Sequence, residues 1–449
     1  MQFQLTRDFI KGIEQLIANQ DGNKLRELLH ELHFADIAEL LEELSSDEAT
    51  YLIKILESEL TSEALMELDD DVREKILSRL SPKEIAKELA EMDTDDAADI
   101  IAELDEHIQQ KVISKLDDEG HAADIIELLK YDEDTAGGLM AKELVQVKET
   151  WTVAGCVREM RRQAENITRV HSIYVTDKEG KLKGRLSLKD LLTAPEKTKI
   201  SEIYIPKVDY VTVHTEGEEV ARIMQKYDLE AIPVIDEKGI LVGRITIDDI
   251  VDFIKDEADK DYQMAAGISS DAEADDSVWV LTRARLPWLV LGLFGGLGSV
   301  YIMKGFEEAI TNYPILFFFT PLIAAMAGNV GVQSSAIIVQ GLANDNVKGS
   351  LINRLLKEVG LALINGTALA ALVMLFGFIV GQDVLVSFTI SISMLSVIIV
   401  AALIGTFVPI ILDRRGIDPA IATGPFITTS NDIFGIFLFF YLSKIILGF

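Results

Sequence analysis

Three textures of apolar and polar positions succeed one another along the chain. From about residue 5 to 130, apolar side chains recur at i, i+3 and i+4 in short runs broken by tight turns, the pattern of small amphipathic helices. The triplet Ala-Asp-Ile returns at 35–37, 98–100 and 123–125, with a looser copy at Glu84-Ile85-Ala86. Helices that each bury one stripe are stable when stacked, so the pattern predicts a superhelix of helical repeats. From about 136 the period changes to alternating strands and helices. Ser172–Asp177, a turn at Glu179-Gly180 and Gly184–Leu192 are echoed by Ala231–Asp236, a turn at Lys238-Gly239 and Gly243–Val251. Two such units about 60 residues apart are an internal duplication. Finally, five stretches reach the roughly 20 apolar residues that a bilayer crossing needs, at 286–304, 314–341, 359–381, 388–412 and 424–447.

Charge separates the front of the chain from the back. The 449 residues hold 42 Lys+Arg and 73 Asp+Glu, and nearly all of the imbalance precedes residue 286. Residues 1–285 carry 35 basic and 65 acidic side chains, a net of −30, whereas the apolar remainder is almost neutral. A surface so acidic repels phosphate backbones and excludes nucleic acid as a partner. Cys156 is the only cysteine, which rules out an internal disulfide and a cysteine zinc site. The first residues lack the apolar core of a signal peptide, so the front half is expected in the cytosol. Basic residues agree: Arg283 and Arg285, then Lys348, Arg354 and Lys357, then Arg414 and Arg415 mark one side of the bilayer. That places the N-terminus inside and the C-terminus outside, in the plasma membrane.

Polar residues interrupt two of the spans. The second contains Pro321, Gly328-Asn329, Gly331 and Gln333-Ser334-Ser335; the fifth contains Thr428-Thr429-Ser430-Asn431-Asp432. A carboxylate such as Asp432 is costly in hydrocarbon unless it has a partner or lines a path. Residues 286–449 include neither His nor Cys, leaving carboxylate, amide, hydroxyl and carbonyl oxygens. Those donors suit Mg²⁺, Ca²⁺ or Mn²⁺. A twofold dimer with Asp432 at its axis would set two charges against a divalent ion.

Each duplicated unit resembles a CBS module, the type found in cystathionine β-synthase. In that family a Ser/Thr-x-x-Asp after the last strand often holds an adenosine ribose, which here implies Ser187 with Asp190 and Thr246 with Asp249 as a nucleotide (ATP) site. The whole chain resembles the MgtE family of magnesium channels. The marks are Ala136-Gly137-Gly138-Leu139-Met140, Pro321 with Gly328-Asn329 and Gln333, Asp418-Pro419, and Asn431-Asp432. The resemblance implies an all-α superhelical N-domain (1–131), an α/β tandem CBS pair (132–199 and 200–252), a connecting or plug helix and linker (253–280), and an α-helical membrane domain with five transmembrane helices (281–449). It implies a homodimer with the ion path on its axis and a cytosolic part that senses Mg²⁺ and shuts the pore. By position it assigns the pore to Asp432, Gly328, Asn329 and Asp418. The sensor falls on Glu63, Asp95, Asp99, Gly138, Glu216, Glu218, Gln225, Asp228, Asp249, Asp252, Glu257 and Asp261. Lys260 stands where an acid is expected, and Gly424 where a polar residue is. The competing expectations are a CBS-regulated secondary transporter for another ion or osmolyte and a membrane-anchored sensor without transport. Enzymatic activity finds no support, since no phosphate-cradling Gly loop or nucleophile elbow is visible.

Overall fold

The computed structural model describes residues 4–163, 167, 170–269, 272, 276–343, 347, 350–422 and 424–448. Asp271, Glu273 and Asp275 of the linker, and Lys348 of the charge pattern, lie outside the described residues. The chain divides into two compact units, one ending at Lys255 and the other starting at Asp256.

The first unit opens with ten helices, from α1 (Arg7–Ala18) to α10 (Glu119–Leu128). Local chemistry sets their ends. Ser45 with Glu48, and Ser81 with Glu84 after Pro82, form reciprocal capping boxes. The repeat expected from the Ala-Asp-Ile triplets is present, because Ile37, Ile100 and Ile125 all lie in one continuous core. Arg73 ties successive repeats together. It is buried and donates from Nε to both carboxylate oxygens of Glu103, at 3.0 and 3.1 Å. Within this superhelix α5 (Ser58–Met66) and α8 (Thr94–Ala102) carry the residues of interest below.

Two small sheets follow. β1 (Val145–Lys148), α11 (Val153–Gln163), β2 (Ile173–Thr176), β3 (Leu182–Leu186), α12 (Leu188–Thr193) and β4 (Ile205–Pro206) form the first, in the order β1-β2-β3-β4. β5 (Val211–Thr212), α13 (Gly217–Tyr227), β6 (Ala231–Ile235) and β7 (Leu241–Thr246) form the second, in the order β5-β6-β7. β1 runs parallel to β2, and β5 parallel to β6, each pair preceding an antiparallel hairpin. The duplicated sequence therefore folds twice in the same way. The modules also exchange edges. Ala136 N donates to Thr215 O, Gly137 N to Val213 O, and Ala141 exchanges hydrogen bonds with Arg244, so the 136–141 segment pairs with the second sheet. β4, from the start of the second copy, pairs with β3 of the first.

α14 (Ile247–Ala266) begins in the first unit and ends in the second without a break. Among the described residues the second unit has five helices long and apolar enough to cross a membrane: α15 (Val278–Gly305), α17 (Ile315–Ala343), α18 (Leu351–Val380), α19 (Val384–Asp413) and α20 (Gly424–Leu447). A short helix, α16 (Glu307–Asn312), lies between the first two. α15 and α18 start eight residues before the apolar stretches at 286 and 359. Ser277 and Ser350 cap them, and the mixed turns that follow, which carry Arg283, Arg285, Arg354 and Lys357, extend each helix beyond its apolar run.

Candidate ion path and cytosolic cation cluster

On α17 the residues Ala324, Ala325, Gly328, Asn329, Val332 and Gln333 share one face, spaced as a helix repeats. Together with Thr428 and Asp432, one turn apart on α20, they line a cavity of about 390 Å³. Gly328 makes the approach possible: a Cβ there would stand 3.2 Å from Thr428 Cγ2 and 3.8 Å from Asp432 Oδ1. The lining joins Asp432, Gly328 and Asn329, as the sequence implied, and adds Gln333 and Thr428. Every polar donor in it is an oxygen or an amide, with one carboxylate, which fits a hard cation that keeps much of its water.

Asp418 stands just before α20. Its Oδ1 accepts from Ala420 N at 2.7 Å and starts a 3-10 turn over Pro419–Ala422. The end of α14 packs on the start of α20. Gly267 abuts Pro425, and Gly424 (φ +35°) has its Cα against the Ala265 carbonyl, where any Cβ would collide. A polar side chain, which the family pattern leads one to expect at 424, has no room in this backbone arrangement. Lys260, found where an acid was expected, pairs with Glu257 at 3.6 Å along α14.

In the first unit a cluster of acids forms around the start of α8. Oxygens of Asp93, Asp95 and Glu143 lie within 4.8 Å of one another. Thr94 fastens Glu143 to the helix, donating to its Oε2 from N at 3.2 Å and from Oγ1 at 2.8 Å. Arg244 on β7 reaches the same place, donating from Nη2 to Asp93 at 3.3 Å and from Nε to the Glu143 carbonyl. Asp249, in the first turn of α14, accepts from Thr246 N at 3.0 Å and from Thr246 Oγ1 at 2.5 Å. Its charge acts on Asp93, Asp95, Asp96 and Asp99 alike. Burial first, then Glu143, pushes Asp93 up to about 6 despite Arg244. Burial and Asp249 push Asp96 up to about 8. Asp95, 8 % exposed, is held well above the usual carboxylate range by burial and by Asp96 and Asp249. Burial first, then Glu67, raises Glu63 on α5.

The structure thus brings Glu63, Asp95, Asp99 and Asp249 into one neighbourhood. Gly138 stands at its rim, since a Cβ there would meet Glu133, whose charge raises Asp99. Glu216 caps α13, Glu218 and Gln225 ride on it, and Asp228 ends it in a left-handed turn. Asp252, Glu257 and Asp261 are distributed along α14. Of the nucleotide candidates, Ser187 is the N-cap of α12 without a side-chain cap bond, whereas Thr246 is closed onto Asp249. Sequence alone missed Asp93, Asp96, Glu143 and Arg244. The run Asp93-Thr94-Asp95-Asp96 was visible as charge density, but its partners at 143 and 244 are remote in sequence.

A pH dependence follows from these carboxyls. With the start of α8 docked against Glu143, Arg244 and Asp249, the values of Asp93, Asp95, Asp96 and Asp99 exceed the ordinary ~4, so protonation favours docking. In the absence of Mg²⁺ that contribution is present below about pH 4 and is lost as pH rises through about 6 to 8. A divalent cation taken up by these carboxyls would have to displace the same protons, so its affinity should rise by on the order of tenfold or more between pH 6 and pH 8. Calorimetry in two buffers of different protonation enthalpy reads both the affinity and the protons released. Equal affinity at the two pH values, with no proton release, would contradict this coupling.

A family model described as "Divalent cation transporter" matches residues 320–442, and one described as "MgtE intracellular N domain" matches 32–134. The CBS domain model matches 136–197 and 200–256. The chain is 34 % identical over 441 residues to the magnesium transporter MgtE of Thermus thermophilus, covering 97 % of this chain and 98 % of that one. It is 35 % identical over 314 residues to the MgtE of Bacillus subtilis, 70 % of each. Among solved structures it is similar to the cytosolic domain of the Mg²⁺ channel MgtE in complex with ATP, with 37 % identity and a TM-score of 0.52. That match covers 54 % of this chain and 99 % of the other. With matching models over the helical domain, both CBS modules and most of the membrane part, and a relative 34 % identical over nearly its whole length, the chain belongs to the MgtE family of magnesium transporters.

Proposed function

We propose that this protein is a homodimeric Mg²⁺ channel of the plasma membrane that closes when cytosolic Mg²⁺ fills the acidic cluster of its first unit. The observation that carries the transport half is the cavity between α17 and α20, where Asp432 faces Gly328, Asn329, Gln333 and Thr428. A single carboxylate leaves a divalent ion half compensated, and a second protomer across a twofold axis supplies the other charge. α14 supports a dimer as well, since Val251 and Ile254 are 55 % and 47 % exposed on successive turns and offer a second copy an apolar stripe. The C-terminus lies outside, by the placement of the basic residues in the remaining loops.

The regulatory half rests on Asp93, Asp95, Asp96, Asp99, Glu143 and Asp249. The raised values of Asp93, Asp95, Asp96 and Asp99 express the cost of burying carboxylates, and of burying them among like charges, and a hard divalent cation offsets that cost. An ion that binds the docked arrangement better than the separated one shifts the population toward docking. Closing the cluster through Asp249 acts on α14, which ends against the start of α20 near Asp418. Glu63, Gly138, Glu216, Glu218, Gln225, Asp228, Asp252, Glu257 and Asp261 extend the sensor along α13 and α14. Of the two ATP candidates, Ser187 with Asp190 and Thr246 with Asp249, the second would share Asp249 with the cation, so each ligand would alter the affinity for the other.

Limited proteolysis of the full-length dimer tests the sensor. Mg²⁺ should protect the 130–140 segment and α14, whereas a monovalent salt at matched ionic strength should not. Equal protection by both would mean general screening and would remove the sensor assignment.

A further inference from the structure

Consecutive helical residues point about 100° apart, so on α20 the residue before Asp432 faces away from the cavity. That residue, Asn431, enters the junction of α17, α19 and α20. It is 1 % exposed, and neither its Oδ1 nor its Nδ2 has a hydrogen-bond partner. Its amide rests on Gly331 of α17, where an added Cβ would collide with Nδ2 and stand 2.8 Å from Ile427 Cγ2. The Gly331 carbonyl in turn fills the place of a side chain at Gly405 of α19. Beside Gly405, the buried Thr406 hydroxyl also lacks a partner. An unpartnered buried amide gives no hydrogen-bond energy and is costly to desolvate. What Asn431 supplies is shape: it occupies the space left by the missing side chain of Gly331.

From this geometry we infer that Asn431 is the positioning residue of the ion path. Seated on Gly331, it fixes the rotation and depth of α20 against α17, and with them the separation of Asp432 from the Gly328 backbone one turn away. Small residues let helices in a bilayer approach closely, and the matching side chain then sets how closely. Oxygen ligands discriminate between ions of different size only when held to within about 0.5 Å. A displaced α20 therefore loses selectivity before it loses conduction. The inference rests on Asp432 as the ion's ligand.

The test compares uptake of Mg²⁺ and Ca²⁺ into liposomes holding the full-length protein. Wild type is set beside Asn431→Ala, Gly331→Ala, the double variant and Asp432→Asn. Each single variant at 331 or 431 should change the Mg²⁺:Ca²⁺ ratio by at least about threefold, with Gly331→Ala the more severe. The double variant should recover part of the loss, because the new methyl at 331 enters the space vacated by the amide. A ratio is independent of how much protein folds, so simple destabilisation would not move it. Unchanged ratios in both single variants, or a double variant no better than Gly331→Ala, would overturn the positioning role. An unchanged ratio in Asp432→Asn would instead remove the ligand assignment on which it rests.

Discussion

Asp432→Ala is expected to reduce Mg²⁺ flux to the background of empty liposomes while leaving a dimer that assembles and inserts. The carboxylate stands within an apolar helix, beside the Gly328 backbone, in a cavity whose other polar groups are uncharged. At an effective dielectric of about 20, a divalent ion some 5 Å from one carboxylate gains roughly 6–7 kcal/mol. Magnesium gives up its inner water reluctantly, so most of that gain goes into holding the hydrated ion in place of bulk solvent. Even a third of it corresponds to a loss of more than about tenfold in occupancy for each protomer, and the two protomers face the same ion. Asp432→Asn keeps the volume and the polar surface, so it should conduct poorly and lose most of its preference for divalent ions. Wild-type flux from the alanine variant would remove Asp432 from the path.

The second large effect is expected from neutralising the cytosolic cluster. Asp95→Asn combined with Asp249→Asn should abolish most of the Mg²⁺ response while leaving Mg²⁺ flux itself. Asp249 acts on four neighbouring acids, and Asp95 is the most buried of them, so the pair removes both ligands and repulsion at one place. The loss of two ligands outweighs the relief of repulsion among the acids that remain, so Mg²⁺ no longer draws the cluster into docking and the open state persists. The proteolysis rates with and without Mg²⁺ should converge. A variant that retained the wild-type response would show that the ions governing closure bind elsewhere, with α13 and α14 the remaining candidates.

The parts of this molecule that local pattern controls were legible in its sequence. Apolar runs of about 20 residues are set by bilayer thickness, so all five spans could be read, and the duplicated strand–turn–strand units announced two similar modules. Asp432 was legible because a carboxylate inside such a run is conspicuous. The limits arose where distant segments meet. Thr94 and Glu143 are joined across 49 residues and Asp93 and Arg244 across 151, and neither pairing leaves a periodic trace. The edge exchange that carries Ala136 and Gly137 to the second sheet is equally non-local. Gly424 departs from the family pattern, and its close approach to the Ala265 carbonyl is a contact that no sequence pattern announces. Asn431 is a similar case, since its contact with Gly331 is a property of how two helices cross and belongs to neither helix alone.

The most direct measurement is Mg²⁺ current through excised membrane patches while Mg²⁺ on the cytosolic face is raised from zero to millimolar concentration at constant ionic strength. The current should be large at zero, fall steeply as the cluster fills, and return when Mg²⁺ is withdrawn, with Asp95→Asn/Asp249→Asn conducting across the whole range. A wild-type current unaffected by cytosolic Mg²⁺, or one reduced equally by a monovalent salt, would contradict a channel closed by the ion it carries.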